Sequence, residues 1–349
     1  MQKLPEIEIG GRRIAADAPT YIIAEIGVNH NGDPALAHEM IDAARDAGAD
    51  AVKFQTYRTE DLVLESAAKA DYQLEKTGVG KQFDMLKGLE LPFPVFSELH
   101  AHCSEVGIDF MSTAFDPISL DFVISLEPVC LKWPSGELTN FPLLRQASKT
   151  KLPIMLSTGM GSLREISSAV DILGPDQEVV ILQCVSNYPA AIKDQNLRVL
   201  PAMQAAFGCP VGFSDHTEGV YAAVAAKALG MSVLEKHFTL NCAWEGPDHS
   251  ASIEPEGFRE MVAILREIEE GLGDGVKQIV DAEKNVRNVA RKSLVYRQQL
   301  KKGHVIQEGD LIGKRPGGGV APDQIDQFVG CRLTHDVNLD QIVDESHVR

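Results

Sequence analysis

The chain has 349 residues, 44% of them hydrophobic and 24% charged, the balance of a soluble globule large enough for two domains. Lys and Arg number 33 against 50 Asp and Glu, a formal charge of −17, which disfavours a nucleic-acid backbone or an anionic membrane as partner. No apolar run is long enough for a spanning helix, and Met1-Gln2-Lys3-Leu4-Pro5-Glu6 has no apolar signal core. A cytoplasmic protein is therefore expected. Its cysteines, Cys103, Cys130, Cys184, Cys209, Cys242 and Cys331, show no C-x-x-C spacing and are expected as free thiols.

In chain order, short apolar runs alternate with longer amphipathic stretches. The runs are Tyr21–Glu25, Ala51–Gln55, Ile108–Ser112, Val129–Trp133, Pro153–Ser157, Val179–Cys184, Pro210–Phe213 and Val233–Lys236. Helical patterns begin near Pro34, Pro94, Pro117, Asn140, Leu163, Asn196, Val220 and Glu256. Asp33-Pro34 and Asp116-Pro117 read as a capping residue followed by one with pre-set φ. In the last pattern Phe258, Met261, Val262, Leu265, Ile268 and Leu272 recur at helical spacing. Eight strand–helix units predict a (β/α)8 barrel over residues 1–275. A doubly wound sheet is the alternative, but no G-x-G-x-x-G follows the first strand. Residues 276–292 are charged and read as a helical linker. From Ser293 short β-like pieces with glycine punctuation predict a small, mostly-β domain over 293–349, whose thin core would gain from docking.

A barrel builds its active site at the strand ends and the loops after them. There stand Lys53 and Lys132, with Thr113, Ser135, Ser157 and Ser214 around the ring. Two cations among hydroxyl donors suit a small, highly charged ligand such as a phosphorylated carboxylate. Helix caps and snorkelling lysines explain one such residue easily, but six together less well. His216 and His237 follow the last two strands, so their imidazoles can converge on one ion. Neutral imidazoles with oxygen ligands fit Mn²⁺, Co²⁺ or Zn²⁺, while a structural pair or a proton carrier remains the alternative. Glu25, Glu137 and Asp248 are acids beside strand ends, able to hold a water or sugar hydroxyls, or simply to pair with the lysines. No G-x-S-x-G, H-E-x-x-H or complete P-loop is present.

These segments resemble the sialic acid synthases. The likeness rests on Ile23-Ala24-Glu25-Ile26-Gly27-Val28-Asn29-His30-Asn31-Gly32, Val52-Lys53-Phe54-Gln55-Thr56, Pro134-Ser135-Gly136-Glu137, Leu156-Ser157-Thr158-Gly159-Met160, Phe213-Ser214-Asp215-His216, Leu234-Glu235-Lys236-His237 and Gly246-Pro247-Asp248-His249. Lys314-Arg315-Pro316-Gly317 resembles the signature of that family's C-terminal SAF (antifreeze-like) domain. The resemblance implies condensation of phosphoenolpyruvate with an N-acetylated amino-sugar aldehyde to a nonulosonic acid and phosphate. N-acetylmannosamine is the acceptor expected first, and a 2,4-diacetamido-trideoxyhexose, as in legionaminic or pseudaminic acid synthesis, is the alternative. By the same resemblance, Lys53, Thr113, Lys132, Ser135, Ser157 and Ser214 hold phosphoenolpyruvate. His216 and His237 hold a metal, usually Mn²⁺ with Mg²⁺ or Co²⁺ as alternatives. Glu25, Gln55, Tyr188 and Asp248 meet the acceptor, Glu137 stands near the attacking water, and Arg315 reaches the partner's barrel in a domain-swapped homodimer.

Departures from the family pattern leave the phosphoenolpyruvate residues intact and bear on which acceptor is taken: Gln183-Cys184 stands where His-Cys is frequent, Trp133 where isoleucine is common, Pro189-Ala190-Ala191 replaces Pro-Thr-Pro or Pro-Ala-Pro, and Gly317-Gly318-Gly319 replaces Gly-Asn-Gly. A Schiff-base aldolase on Lys53 or Lys132 and a non-enzymatic carbohydrate- or ice-binding protein are the more distant readings.

Overall fold

A computed structural model describes residues 4–349; Met1, Gln2 and Lys3, part of the segment read above for a leader, lie outside the described residues. The chain divides into two compact units, one ending at Gly273 and one spanning Asp274–Arg349. Among the described residues no helix is long and apolar enough to cross a membrane. All six cysteines are free thiols.

The first unit opens with an antiparallel hairpin, β1 (Ile7–Ile9) and β2 (Arg12–Ile14), which the strand pattern did not reveal. Then come β3 (Tyr21–Gly27), β4 (Ala51–Thr56), β5 (Asp109–Ala114), β6 (Leu131–Trp133), β7 (Ile154–Ser157), β8 (Val179–Cys184), β9 (Val211–Asp215) and β10 (Val233–His237). Each pairs in parallel with the next, and β10 pairs with β3, so the barrel closes at eight as expected from the sequence.

Parallel strands covered on both faces must be buried throughout, and those of β3 are: every residue from Tyr21 to Gly27. Side chains that alternate outward meet the helices. Ile22, Ala24, Val52, Phe54, Phe110, Leu156, Ile181 and Phe213 share one core with Met40, Leu99, Leu144, Met203 and Met261 from the helix faces. The inward set forms a second core of Tyr21, Ile23, Ala51, Met111, Cys130, Met155, Val180, Leu182 and Val233, which Ile9 and Ile14 of the hairpin join. Gly212 belongs to the inward row because a Cβ there would lie 2.3 Å from Leu182 Cδ2 and 2.7 Å from the Val233 carbonyl oxygen.

The surrounding helices start where caps direct them. Asp33 accepts from the Ala35 amide at the head of α1 (Pro34–Asp46). Between β4 and the helix Phe93–Val106, three short helices intervene: α2 (Thr59–Leu62), α3 (Asp71–Thr77) and α4 (Gln82–Leu89). None was anticipated, because each is shorter than the roughly 11- to 18-residue window over which helical periodicity can be recognised. The buried Lys69 ammonium ties their loop together, donating to Thr77 Oγ1 at 2.7 Å and to the carbonyls of Thr77 and Gly78.

The second unit has a short helix, Lys284–Ala290, and an antiparallel pair, Ser293–Tyr296 with Leu311–Lys314. Its own core gathers Leu294, Tyr296, Leu300, Ile306, Leu311, Phe328, Leu333, Val337 and Val343. Gly303–Ile306, read as a β-like piece, forms no strand but is joined to 330–333 by an isolated bridge from Val305 to Arg332 and by backbone hydrogen bonds such as Gly303 N to the Leu333 carbonyl at 2.8 Å.

Candidate active site

The inward rows of the barrel change character along the strands, and that change makes the site. On β3 the row runs Tyr21, Ile23, Glu25; on β4, Ala51, Lys53, Gln55; on β10, Val233, Glu235, His237. Below, the row is apolar and filled; at the C-terminal ends it is ionic and opens into a cavity of about 490 Å³. The period of two therefore delivers Thr113, Lys132, Ser157 and Ser214 to the same mouth from β5, β6, β7 and β9.

The cations are held by carboxylates and hydroxyls. Lys53 Nζ lies 2.8 Å from Glu25 Oε2, 3.8 Å from Glu235 Oε2 and 3.0 Å from Thr113 Oγ1. Lys132 Nζ donates to Ser157 Oγ at 2.8 Å and lies 3.3 Å from Glu235 Oε2. Ser214 Oγ donates to Glu235 Oε1 at 2.8 Å, and Gln55 Nε2 to Glu25 Oε1 at 3.2 Å. Ser135 Oγ accepts the Gly159 amide at 2.9 Å, and a Cβ on Gly159 would strike that hydroxyl.

Burial and charge divide the acids. Burial raises Glu25 and the neighbouring Glu235 carboxylate adds to it, against the pull of Lys53. Burial opposes ionisation of Glu235 too, but Lys132 and Lys53 together hold it below the usual carboxylate range. Burial lifts Asp248 to about 6. It also lowers Lys132, whereas Glu235 and Glu25 overcome burial at Lys53 and raise it.

Both imidazoles reach the mouth. Their ring centroids are 5.2 Å apart, and Tyr188 lies against both, at 4.1 Å from His216 and 5.4 Å from His237. His216 Nδ1 donates to the Val185 carbonyl at 2.8 Å, so Nε2 carries the lone pair whenever the ring is neutral; against burial, Cys184 and the Val185 carbonyl raise its pKa. His237 Nδ1 is buried without a hydrogen-bond partner, and burial beside His216 keeps the ring neutral. Two adjacent imidazoles, one with an orphaned nitrogen, fit a divalent ion once both rings are deprotonated. Among the described residues no third His, Cys, Asp or Glu completes a ligand set, so water and substrate oxygens would have to fill the remaining positions.

Of the residues singled out from the sequence, Glu25, Lys53, Gln55, Thr113, Lys132, Ser135, Ser157, Tyr188, Ser214, His216, His237 and Asp248 line this cavity together. Two do not. Glu137 sits on the turn Ser135–Glu137, but it is absent from the lining; its Oε2 accepts from Asn140 Nδ2 at 2.6 Å and so supports the start of the helix Phe141–Ser148. Arg315 belongs to the second unit, where its Nε donates to the Ala290 carbonyl at 3.0 Å. The sequence reading missed Glu235, the acid between the two lysines. Its signal was parity: it stands two residues before His237 and so faces the same way, while Lys236 faces outward onto Asp215 at 2.8 Å. Met85 and Leu86 from α4 were missed as well; with Tyr72 of α3, from the segment Lys69–Gln73 that resembles the acceptor loop of some family members, they wall the cavity.

The NeuB family model matches residues 40–277, and the SAF domain model matches 291–349. The N,N'-diacetyllegionaminic acid synthase of Legionella pneumophila is 44% identical over 321 residues, 90% of either chain. The N-acetylneuraminate-9-phosphate synthase of Homo sapiens is 35% identical over 97% of this chain and 95% of its own. A solved N-acetylneuraminic acid synthetase from Leptospira borgpetersenii, in complex with citrate, superposes with a TM-score of 0.73 at 31% identity, covering 82% of this chain and 96% of that one. The chain belongs to the NeuB family, an enzyme of the sialic acid synthase kind that carries a SAF domain.

Proposed function

We propose that the chain condenses phosphoenolpyruvate with the open-chain aldehyde of an N-acetylated amino sugar and water, giving a nonulosonic acid and phosphate. The observation that carries this reading is the pair Lys53 and Lys132, lining one cavity with Thr113, Ser135, Ser157 and Ser214 beside the imidazoles of His216 and His237. The lysines and hydroxyls take the donor's carboxylate and phosphate. The aldehyde lies toward His216 and His237. A divalent ion held by these two histidines would supply Lewis-acid polarisation of the carbonyl; Mn²⁺ is the proposed ion.

Carbon 3 of the donor attacks the aldehyde carbon, and the positive charge left at carbon 2 is quenched by water. The tetrahedral intermediate then expels phosphate by C–O cleavage. Lys53 and Lys132 balance the phosphate and carboxylate charge throughout. Glu25 and Asp248, held above the ordinary carboxylate range, take up and return protons at the water and the sugar hydroxyls in place of Glu137. Both N-acetylmannosamine and a 2,4-diacetamido-2,4,6-trideoxyhexose present the aldehyde this chemistry needs. Arg315 reaching a second protomer's barrel in a domain-swapped homodimer belongs to the same proposal.

The test is phosphate release from phosphoenolpyruvate across a panel of N-acetylated amino sugars, with and without chelator. Acceptor-dependent, chelator-sensitive release is expected. A Schiff base with pyruvate trapped by borohydride on Lys53 or Lys132, with no acceptor-dependent release, would replace this reading by the aldolase one.

A further inference from the structure

Behind the two imidazoles, on the outward face of the barrel wall, lies an ion pair that plays no part in the chemistry above. Lys236 and Asp215 are the last facing residues of the β9–β10 ladder, with Lys236 Nζ 2.8 Å from Asp215 Oδ2. Their side chains are 1% and 0% exposed, and their neighbours on that face, Ala24, Phe213 and Leu234, belong to the apolar core. For stability alone, apolar side chains serve such a position at least as well, because desolvating two charges offsets most of their attraction. Geometry explains the pair better. Asp215 immediately precedes His216 in the chain, and Lys236 immediately precedes His237.

β10 runs on to His237, but β9 ends at Asp215, so the ladder does not hold His216 opposite His237. Lys236 supplies that hold. Its ammonium donates to Asp215 and also to the Thr217 carbonyl, gripping the residues on either side of His216. Asp215 Oδ1 closes the turn by accepting the Thr217 amide at 2.8 Å and the Thr217 hydroxyl at 2.7 Å. The His216 carbonyl accepts the Ala190 amide at 2.8 Å, which ties the turn to the segment carrying Tyr188. The two rings need this support unequally. Val185 orients the His216 ring, whereas His237 Nδ1 has no hydrogen-bond partner. The His237 ring therefore takes its place from its backbone and from the rings of Tyr188 and His216 against it.

We infer that Lys236 and Asp215 are positioning residues for the imidazole pair, setting the separation at which His216 and His237 grip one divalent ion. The inference rests on the reading of those histidines as ion ligands. Groups that orient metal ligands from behind are worth about 10- to 100-fold in metal affinity.

The test measures Mn²⁺ affinity, from the electron paramagnetic resonance signal of the free ion, in wild type, Lys236→Met, Asp215→Asn and the double variant. Thermal unfolding in chelator, with and without phosphoenolpyruvate, reports the fold and donor binding. Each single change strands a buried charge and lowers Tm, whereas the double change removes both charges and leaves an amide oxygen to accept from Thr217. The double variant should therefore unfold closer to wild type than either single one. All three should bind Mn²⁺ about 10- to 100-fold more weakly. The Tm shift given by phosphoenolpyruvate should stay as in wild type, because Lys53 and Lys132 stand on β4 and β6. That split distinguishes positioning from a general loosening of the barrel. A folded double variant with wild-type Mn²⁺ affinity, or with donor binding weakened by the same factor, overturns the inference and leaves the ion reading standing. A double variant that does not fold overturns it too, by showing that the pair serves the fold itself. Wild type that binds no Mn²⁺ removes the ion reading and this inference together.

Discussion

Glu235 is the acid on which Lys53 and Lys132 converge, so Glu235→Gln probes the charge balance of the whole cavity. Its side chain is 5% exposed and those of Lys53 and Lys132 are 4% and 3%, so little solvent can replace the lost charge. Removing one member of a buried ionic set costs about 3–5 kcal/mol. Because Glu25 still pairs with Lys53 at 2.8 Å, the lower end applies. About 3 kcal/mol in a unit of this size lowers Tm by roughly 6–12 °C. The glutamine carbonyl can still accept from Ser214, so the change isolates charge rather than shape. In the variant, donor anions meet a Lys132 ammonium that has lost its carboxylate partner, while Lys53 keeps Glu25. Saturating phosphoenolpyruvate should therefore recover more Tm in Glu235→Gln than in wild type, where a ligand at a hundred times its Kd adds about 2.7 kcal/mol. Thermal unfolding with and without phosphoenolpyruvate reads both effects. An unchanged Tm in the free variant, or equal ligand shifts in the two proteins, would refute the reasoning.

His216→Ala and His237→Ala should each abolish chelator-sensitive turnover and weaken Mn²⁺ binding measured by calorimetry, while thermal unfolding stays near wild type. Wild-type rates in chelator would remove the ion from the account. Arg315→Ala should raise the acceptor KM and leave donor binding intact, and an unchanged acceptor KM would deny the arginine its role across subunits. His30 gives a pH dependence remote from these groups: its Nδ1 accepts the Gly32 amide at 3.0 Å, and burial lowers its pKa to about 4. A histidine depressed in the fold contributes stability in full above about 6.5 and loses it as pH falls toward 4. The unfolding free energy of wild type relative to His30→Asn should therefore shrink by about 3 kcal/mol between pH 6.5 and 4, by chemical denaturation. A pH-independent difference would mean that His30 is not held neutral.

The barrel was legible because each parallel strand, buried on both faces, stands out as an apolar run such as Val179–Cys184 between amphipathic helices. Most of the site was legible for a related reason: Lys53, Lys132 and Ser214 are polar residues on otherwise apolar strands. Glu235 was overlooked within the run Val233–Lys236, where only its parity with His237 distinguishes it from Lys236, an outward lysine paired with Asp215. Glu137 stands apart from the cavity lining for the opposite reason. It adjoins lining residues in sequence, yet the turn it ends carries its carboxylate onto Asn140. The cavity wall around Met85 and Leu86 lies in helices of four to eight residues whose periodicity is too brief to read, and their packing on Val28 and Phe115 is set by tertiary contact.

The central claim is that donor carbon 2, held over Lys53 and Lys132, is attacked by water and loses phosphate with its bridging oxygen. Phosphoenolpyruvate carrying ¹⁸O in the bridging position tests it in one turnover experiment, read by mass spectrometry of both products. The label is expected in inorganic phosphate, with unlabelled oxygen at carbon 2 of the sugar acid; ¹⁸O retained in the sugar acid would contradict the mechanism.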